Sequence, residues 1–157
     1  MASPTYQKKL SFVVLFSSLF LLLPSAQSTN VKYCDKKGKY DVKVKGVEIS
    51  PDPVVSGEPA TFNIAASTGQ TISGGKVLIE VYFFGVHVHT ETRKLSEEIS
   101  CPIKAGDFVL SHTQTLPGFT PPGSYTLKMT MVDDKDRLLS CIKFDFKIHF
   151  GTSVSDN

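Results

Sequence analysis

Few side chains in this 157-residue sequence are grouped in a way that could do chemistry. His87 and His89 stand two apart on one face of a predicted strand, a spacing that can bring two imidazoles onto one metal ion. No third ligand accompanies them, so a solvated strand face is the better account and no metal is expected. Asp133, Asp134 and Asp136 could suggest calcium, but the spaced ligands and glycine of an EF-hand loop are missing, and acidic turns between strands are common. Serine, histidine and aspartate all occur, without Gly-x-Ser-x-Gly or any other nucleophile context. A Cys–His pair is equally unsupported, because cysteines in an exported chain are drawn into bridges. With no glycine loop to cradle phosphate, neither catalysis nor a cofactor is expected.

What stands out instead is apolar side chains. Inward positions of the predicted strands carry Phe62, Phe83, Phe108, Phe144 and Phe146, with Met129, Met131 and many Ile and Val. Such residues could fill an ordinary core. They could equally enclose an apolar cavity for a lipid between two splayed sheets. Composition does not separate the two.

The elements that would hold these residues are strands throughout. Tyr40 to Lys45 alternates apolar and polar, and after Gly46 the apolar parity shifts to Val47 and Ile49, which predicts a β-bulge there. Further strands are predicted over Ala60 to Ser67, Lys76 to Phe84 and Phe108 to Thr115. Gly85 allows a bend before Val86 and Val88. Tyr125 to Met131 and Ile142 to Phe150 alternate most strongly, joined through the acidic turn. Six to eight short strands without a convincing helical period predict an all-β fold, an immunoglobulin-like antiparallel β-sandwich of two sheets.

Met1 to Ser28 reads as a secretory signal peptide. Lys8 and Lys9 precede an apolar run from Leu10 to Leu23, Pro24 ends it, and Ala26-Gln27-Ser28 offers a small-x-small cleavage site. That run is shorter than the roughly 20 residues a membrane-spanning helix needs. The expected organisation is therefore 1–28 signal peptide, 29–150 one domain and 151–157 a polar tail. The whole chain has 17 Lys+Arg against 15 Asp+Glu; the signal takes two lysines and no acid, leaving a neutral mature domain. A hydrophobic content of 41% with 20% charged residues excludes a disordered chain, a collagen and a polytopic membrane protein. The small net charge points to no nucleic-acid partner.

Several motifs taken in order resemble the plant branch of the ML (lipid-recognition) domain family. They are Tyr33-Cys34-Asp35, Val47-Glu48-Ile49-Ser50-Pro51-Asp52-Pro53-Val54, Gly57-Glu58-Pro59-Ala60-Thr61-Phe62, Cys101-Pro102-Ile103, Gly106-Asp107-Phe108, Pro121-Pro122-Gly123-Ser124-Tyr125 and Ser140-Cys141-Ile142. The family includes the Niemann-Pick type C sterol carrier, a lipopolysaccharide co-receptor and fungal phosphatidylglycerol/phosphatidylinositol transfer proteins. The resemblance implies a two-sheet sandwich with its ligand between the sheets, and hence a lipid-binding or lipid-transfer protein for a sterol or phospholipid. The alternative is a lipid-presenting co-receptor or adaptor acting through a protein partner. Each acyl CH₂ taken from water gains roughly 0.8 kcal/mol, enough in sum to hold a long chain or a sterol in a preformed dry pocket.

On that reading the pocket wall comes from the inward faces: Phe62 and Ile64; Ile79, Val81 and Phe83; Phe108 and Leu110; Tyr125, Leu127 and Met129; Ile142, Phe144 and Phe146. By the same likeness Phe119, in the loop Leu116 to Pro122, matches the gating loop of the sterol carriers, with Val86 and Val88 on the opposite lip. The bland reading of Phe119 is a loop staple. The lysine-rich stretch Lys32 to Lys45 could favour anionic lipid, or be a solvated strand face. The resemblance also pairs Cys34 with Cys141, closing a loop of about a hundred residues worth up to roughly 4 kcal/mol. Plant relatives carry a second, short bridge to the cysteine of Cys-Pro-Ile; its partner position here is Ser96, so Cys101 is expected to be an unpaired thiol, and the order of Leu95 to Cys101 is put in doubt. A monomer that touches membranes transiently is implied, in the secretory pathway, destined for the extracellular space (apoplast) or the vacuole lumen.

Overall fold

Within Thr29 to Gly151, the residues that the computed structural model describes, period-two alternation builds nine strands. The predicted signal segment, and the predicted tail beyond Gly151, lie outside the described residues. In chain order the strands are β1 (Val31–Tyr33), β2 (Val42–Ser50), β3 (Val54–Val55), β4 (Pro59–Thr68), β5 (Gly75–Phe83), β6 (Val86–Lys94), β7 (Gly106–Thr115), β8 (Gly123–Asp133) and β9 (Leu138–His149). Between β6 and β7 lies a single helical turn, α1 (Leu95–Glu98).

The strands form two sheets. One runs β1-β9-β8-β5-β6, with β3 added in parallel to the end of β9; the other is β2-β4-β7. Their facing sides supply one core, in which Val42, Val47, Ile64, Val77, Leu110, Ile142 and Ile148 are sealed from solvent. The expected all-β sandwich is what the chain forms.

Local chemistry explains the joints. The β2–β4 register skips Lys45, as the parity change at Gly46 predicts, and so both Val42 and Val47 reach the core. β5 and β6 are joined by Phe84 and Gly85 alone, both at positive φ (47° and 77°), the two-residue turn whose twist suits a hairpin. Asp133 closes the β8–β9 turn: its carboxylate accepts the Lys135 and Arg137 N–H groups, each at 2.9 Å, and Arg137 Nε at 2.7 Å. That acidic turn holds its own backbone.

α1 departs from the all-strand expectation, and it orders the segment before Cys101 that the missing clip puts in doubt. Its first residue, Leu95, is fully buried, the Glu97 carboxylate accepts the Lys94 N–H at 3.0 Å, and the Ile99 N–H reaches back to the Leu95 carbonyl. One turn is too short to show a helical period in sequence. An apolar anchor and a cap order it without a second disulfide. Cys34 and Cys141 are bonded, with Cα atoms 5.4 Å apart, and Cys101 stands half-buried without a partner.

Candidate binding cleft

β6 is one edge of the larger sheet and β7 one edge of the smaller, and α1 packs against both. Beyond α1 the edges separate. There the sheets enclose a cavity of about 430 Å³. Its inner wall joins Phe62 of the smaller sheet to Ile79, Val81, Leu127 and Phe146 of the larger one. An aromatic row leads outward: Phe146 stacks on Tyr125 (centroids 5.6 Å apart), and Tyr125 on Phe83 (4.6 Å). Gly123 lies over that row, where a Cβ would meet the Phe83 ring at 2.9 Å.

The mouth is built by the loop after β7. Leu116, Pro117, Phe119, Thr120 and Pro121 line it, and its base is tied down on three sides. The Ser56 hydroxyl donates to the Thr120 carbonyl (2.9 Å), the Gly57 N–H to the Leu116 carbonyl (3.0 Å) and the Tyr125 hydroxyl to the Pro121 carbonyl (2.8 Å). Burial pushes the Tyr125 phenol up, so it stays a protonated donor. Phe119 itself is 85% exposed; it projects from the fixed loop rather than stapling it to the core. Val88 stands on the facing edge, also exposed. The β5–β6 register skips Val88, and this bulge lets Val88 and His89 both line the cleft.

Nine of the sixteen proposed wall residues border this cavity: Phe62, Ile79, Val81, Phe83, Val88, Phe119, Tyr125, Leu127 and Phe146. Ile64, Leu110, Met129, Ile142 and Phe144 do not; they are buried where the sheets pack directly on each other. Phe108 packs half-buried at the core's edge, and Val86, beside the hairpin turn, faces solvent. His87 and His89 diverge: His87 contacts Tyr82 and Thr90, and His89 turns toward Glu91.

The sequence reading missed the polar strip along the cleft, His89 and Glu91 from β6 and His112 and Gln114 from β7. His112 is buried, and its Nδ1 lies 3.0 Å from Glu98 Oε2, while Glu98 Oε1 accepts Arg93 Nε at 3.3 Å. Arg93, Glu98 and His112 thus link β6, α1 and β7 across the gap between the sheets. His112 opposite Phe62, on a strand that alternates, was the available signal. Among the described residues no lysine borders the cavity, so the basic stretch Lys32 to Lys45 lies elsewhere on the surface.

Against known proteins, the ML domain family model matches residues 28–148. The chain belongs to the ML domain family. A putative phosphatidylglycerol/phosphatidylinositol transfer protein of Dictyostelium discoideum is 27% identical over 140 residues, covering 87% of this chain and 95% of the relative. Among solved structures, a Niemann-Pick type C2 protein from the Japanese carpenter ant superposes with a TM-score of 0.60 at 18% identity, over 76% of this chain and 99% of that one. Chicken MD-1, complexed with lipid IVa, gives 0.52 at 20% identity, over 74% and 86%. These likenesses place this ML domain among immunoglobulin-like sandwiches. Its Cys34–Cys141 bond fits an oxidising compartment.

Proposed function

We propose that this ML domain is a lipid carrier that holds the apolar body of a sterol or phospholipid between its sheets and exchanges it at a membrane surface. One observation carries the reading: an apolar cavity of about 430 Å³ opens between the free edges β6 and β7 through a rim that bears exposed Phe119 and Val88. Pockets that enclose small ligands span about 300–1,000 Å³. Exposed apolar rim residues give the lipid a path that avoids water.

Carriage rather than catalysis is supported by the relative of Dictyostelium discoideum, which is named a putative transfer protein. The carrier works as a monomer after removal of residues 1–28, in the extracellular space or a vacuole lumen, with residues 29–150 as the carrier domain and 151–157 as a tail. Native mass spectrometry of the mature protein, followed by organic extraction and by uptake from vesicles of cholesterol or phosphatidylglycerol, tests the proposal. A bound or acquired lipid in one-to-one ratio is expected. A protein that stays empty with both lipids overturns it, and a stable complex with a membrane protein in place of transfer favours a lipid-presenting adaptor.

A further inference from the structure

The most buried polar side chain of the cleft is His112, only 3% exposed. Its Nδ1 lies against the Glu98 carboxylate, which when ionised can only accept, so Nδ1 carries the hydrogen. Nε2 makes no hydrogen bond to a described group. It is not sealed either: Ser140 Oγ is the one side-chain polar atom among the described residues that lacks both a partner and access. The space that His112 borders is the cavity, and its ring runs beside the cavity-lining Phe62 (centroids 6.3 Å, planes 28° apart). Nε2 is therefore an accessible polar atom without a described partner, on a residue that borders a mostly apolar chamber.

The surrounding charges decide what it can meet. Glu98 touches the same imidazole, Glu91 lines the cleft, and the one nearby guanidinium, Arg93, is engaged by Glu91, Glu97 and Glu98 at 3.1, 3.5 and 3.3 Å. A phosphate beside His112 would enter the field of those carboxylates, and among the described residues that line the cleft there is no lysine or arginine to offset it. A hydroxyl meets no such opposition. It also donates to Nε2 of a neutral ring and accepts from Nε2–H of a charged one, so it suits either state.

We propose that His112 Nε2 hydrogen-bonds the hydroxyl of a neutral lipid whose apolar body fills the cavity, so that the inner cleft selects an uncharged alcohol over a phosphate headgroup. This rests on the lipid-carrier reading above. Glu98 then acts as a positioning residue that holds the tautomer, and Arg93 steadies Glu98.

The test compares cholesterol with cholestane, the same body without the hydroxyl, and with dioleoyl phosphatidylglycerol, in the full mature protein. One neutral hydrogen bond predicts cholesterol bound about two- to tenfold more tightly than cholestane. His112→Asn keeps a donor where Nδ1 met Glu98 but removes Nε2, and should bring that ratio to about one. His112→Gln places its amide near the Nε2 position and should restore part of the preference. In the unsubstituted protein, the His112 Nε2 nitrogen resonance should move with cholesterol and not with cholestane, which decides the matter even if the variants fail to fold. Equal affinity for the two sterols, an undiminished preference in His112→Asn, or uptake of phosphatidylglycerol without either sterol overturns the assignment while lipid carriage stands. Uptake of no lipid at all overturns both.

Discussion

Phe62 of β4 and Phe146 of β9 meet edge to face across the gap between the sheets, their centroids 5.4 Å apart and their planes at 77°. Each is buried against the other and against its own sheet, and each also borders the cavity. This pair is the floor on which the cleft stands. Removing one ring should cost close to the large-to-small value for a core phenylalanine: Phe62→Ala is expected to lose about 3 kcal/mol, the low end of that range because one side of the ring already faces open space. Urea unfolding followed by circular dichroism measures it. A loss below about 1 kcal/mol would show that the sheets are held apart by other contacts.

The strands were legible because one face of each is buried, and burial writes a period of two into Phe62, Ile64 and Ala66, or Leu127, Met129 and Met131. Even the Gly46 bulge left its mark as a change of parity. Which inward residues border space and which pack on one another was not legible. Ile64 and Phe62 share a face of β4, yet only Phe62 reaches the cavity, since the sheets part only toward the loop after β7. That separation belongs to the whole sandwich. The Glu98–His112 contact was hidden for a similar reason: it joins a helical turn to a strand fourteen residues on, and no local pattern encodes it.

The Cys34–Cys141 bond ties the end of β1 to β9 across a separation of 107 residues. Replacing both cysteines by serine should lower stability by about 4 kcal/mol, as closure of a long loop in the unfolded chain predicts. Thiol titration of the denatured protein should find one free group, Cys101. In the folded protein that thiol should react slowly at neutral pH, because burial first, and the Asp134 charge second, hold its pKa above the ordinary value. Two or more free thiols, or none, in a monomer would contradict this pairing.

Asp133 predicts a specific acid sensitivity. The Arg137 N–H foremost, then the Lys135 N–H and the Arg137 side chain, hold its carboxyl below the usual carboxylate range. A group whose pKa is lower when folded contributes stability that is fully present above its unfolded value, about 3.9. That contribution is lost as pH falls through the lower folded value. Asp133→Asn removes the titration, so the drop in Tm between about pH 6 and pH 2 should be smaller in the variant than in the parent. An equal drop in both proteins would remove Asp133 from the account of acid unfolding.

Phe119 separates docking from folding. At 85% exposure it packs against little, so Phe119→Asp should shift stability by no more than about 0.5 kcal/mol. If the rim enters a membrane surface during exchange, the same change forfeits the burial of a phenylalanine, roughly 1.5–3 kcal/mol. Transfer of cholesterol or phosphatidylglycerol between vesicles should then slow by about tenfold or more. A variant that transfers as fast as the parent would place membrane contact elsewhere.

Val81 and Phe144 test whether wall and core are distinct. Both lie on inward faces of the larger sheet, but half-buried Val81 borders the cavity, whereas Phe144 is 2% exposed and packs against Phe62 with centroids 6.0 Å apart. A charge at Phe144 has no water and no partner, so Phe144→Asp should cost more than about 4 kcal/mol, much of a typical domain's stability, and leave little folded protein. A charge at Val81 can draw water from the cavity, so Val81→Asp should fold with a modest loss. The hydrated carboxylate then occupies the place of the lipid's apolar body, and uptake should weaken by tenfold or more. Melting curves and lipid uptake measured on the same preparations distinguish the two. Equal loss of folding in both variants would mean that the cavity wall is part of the continuous core.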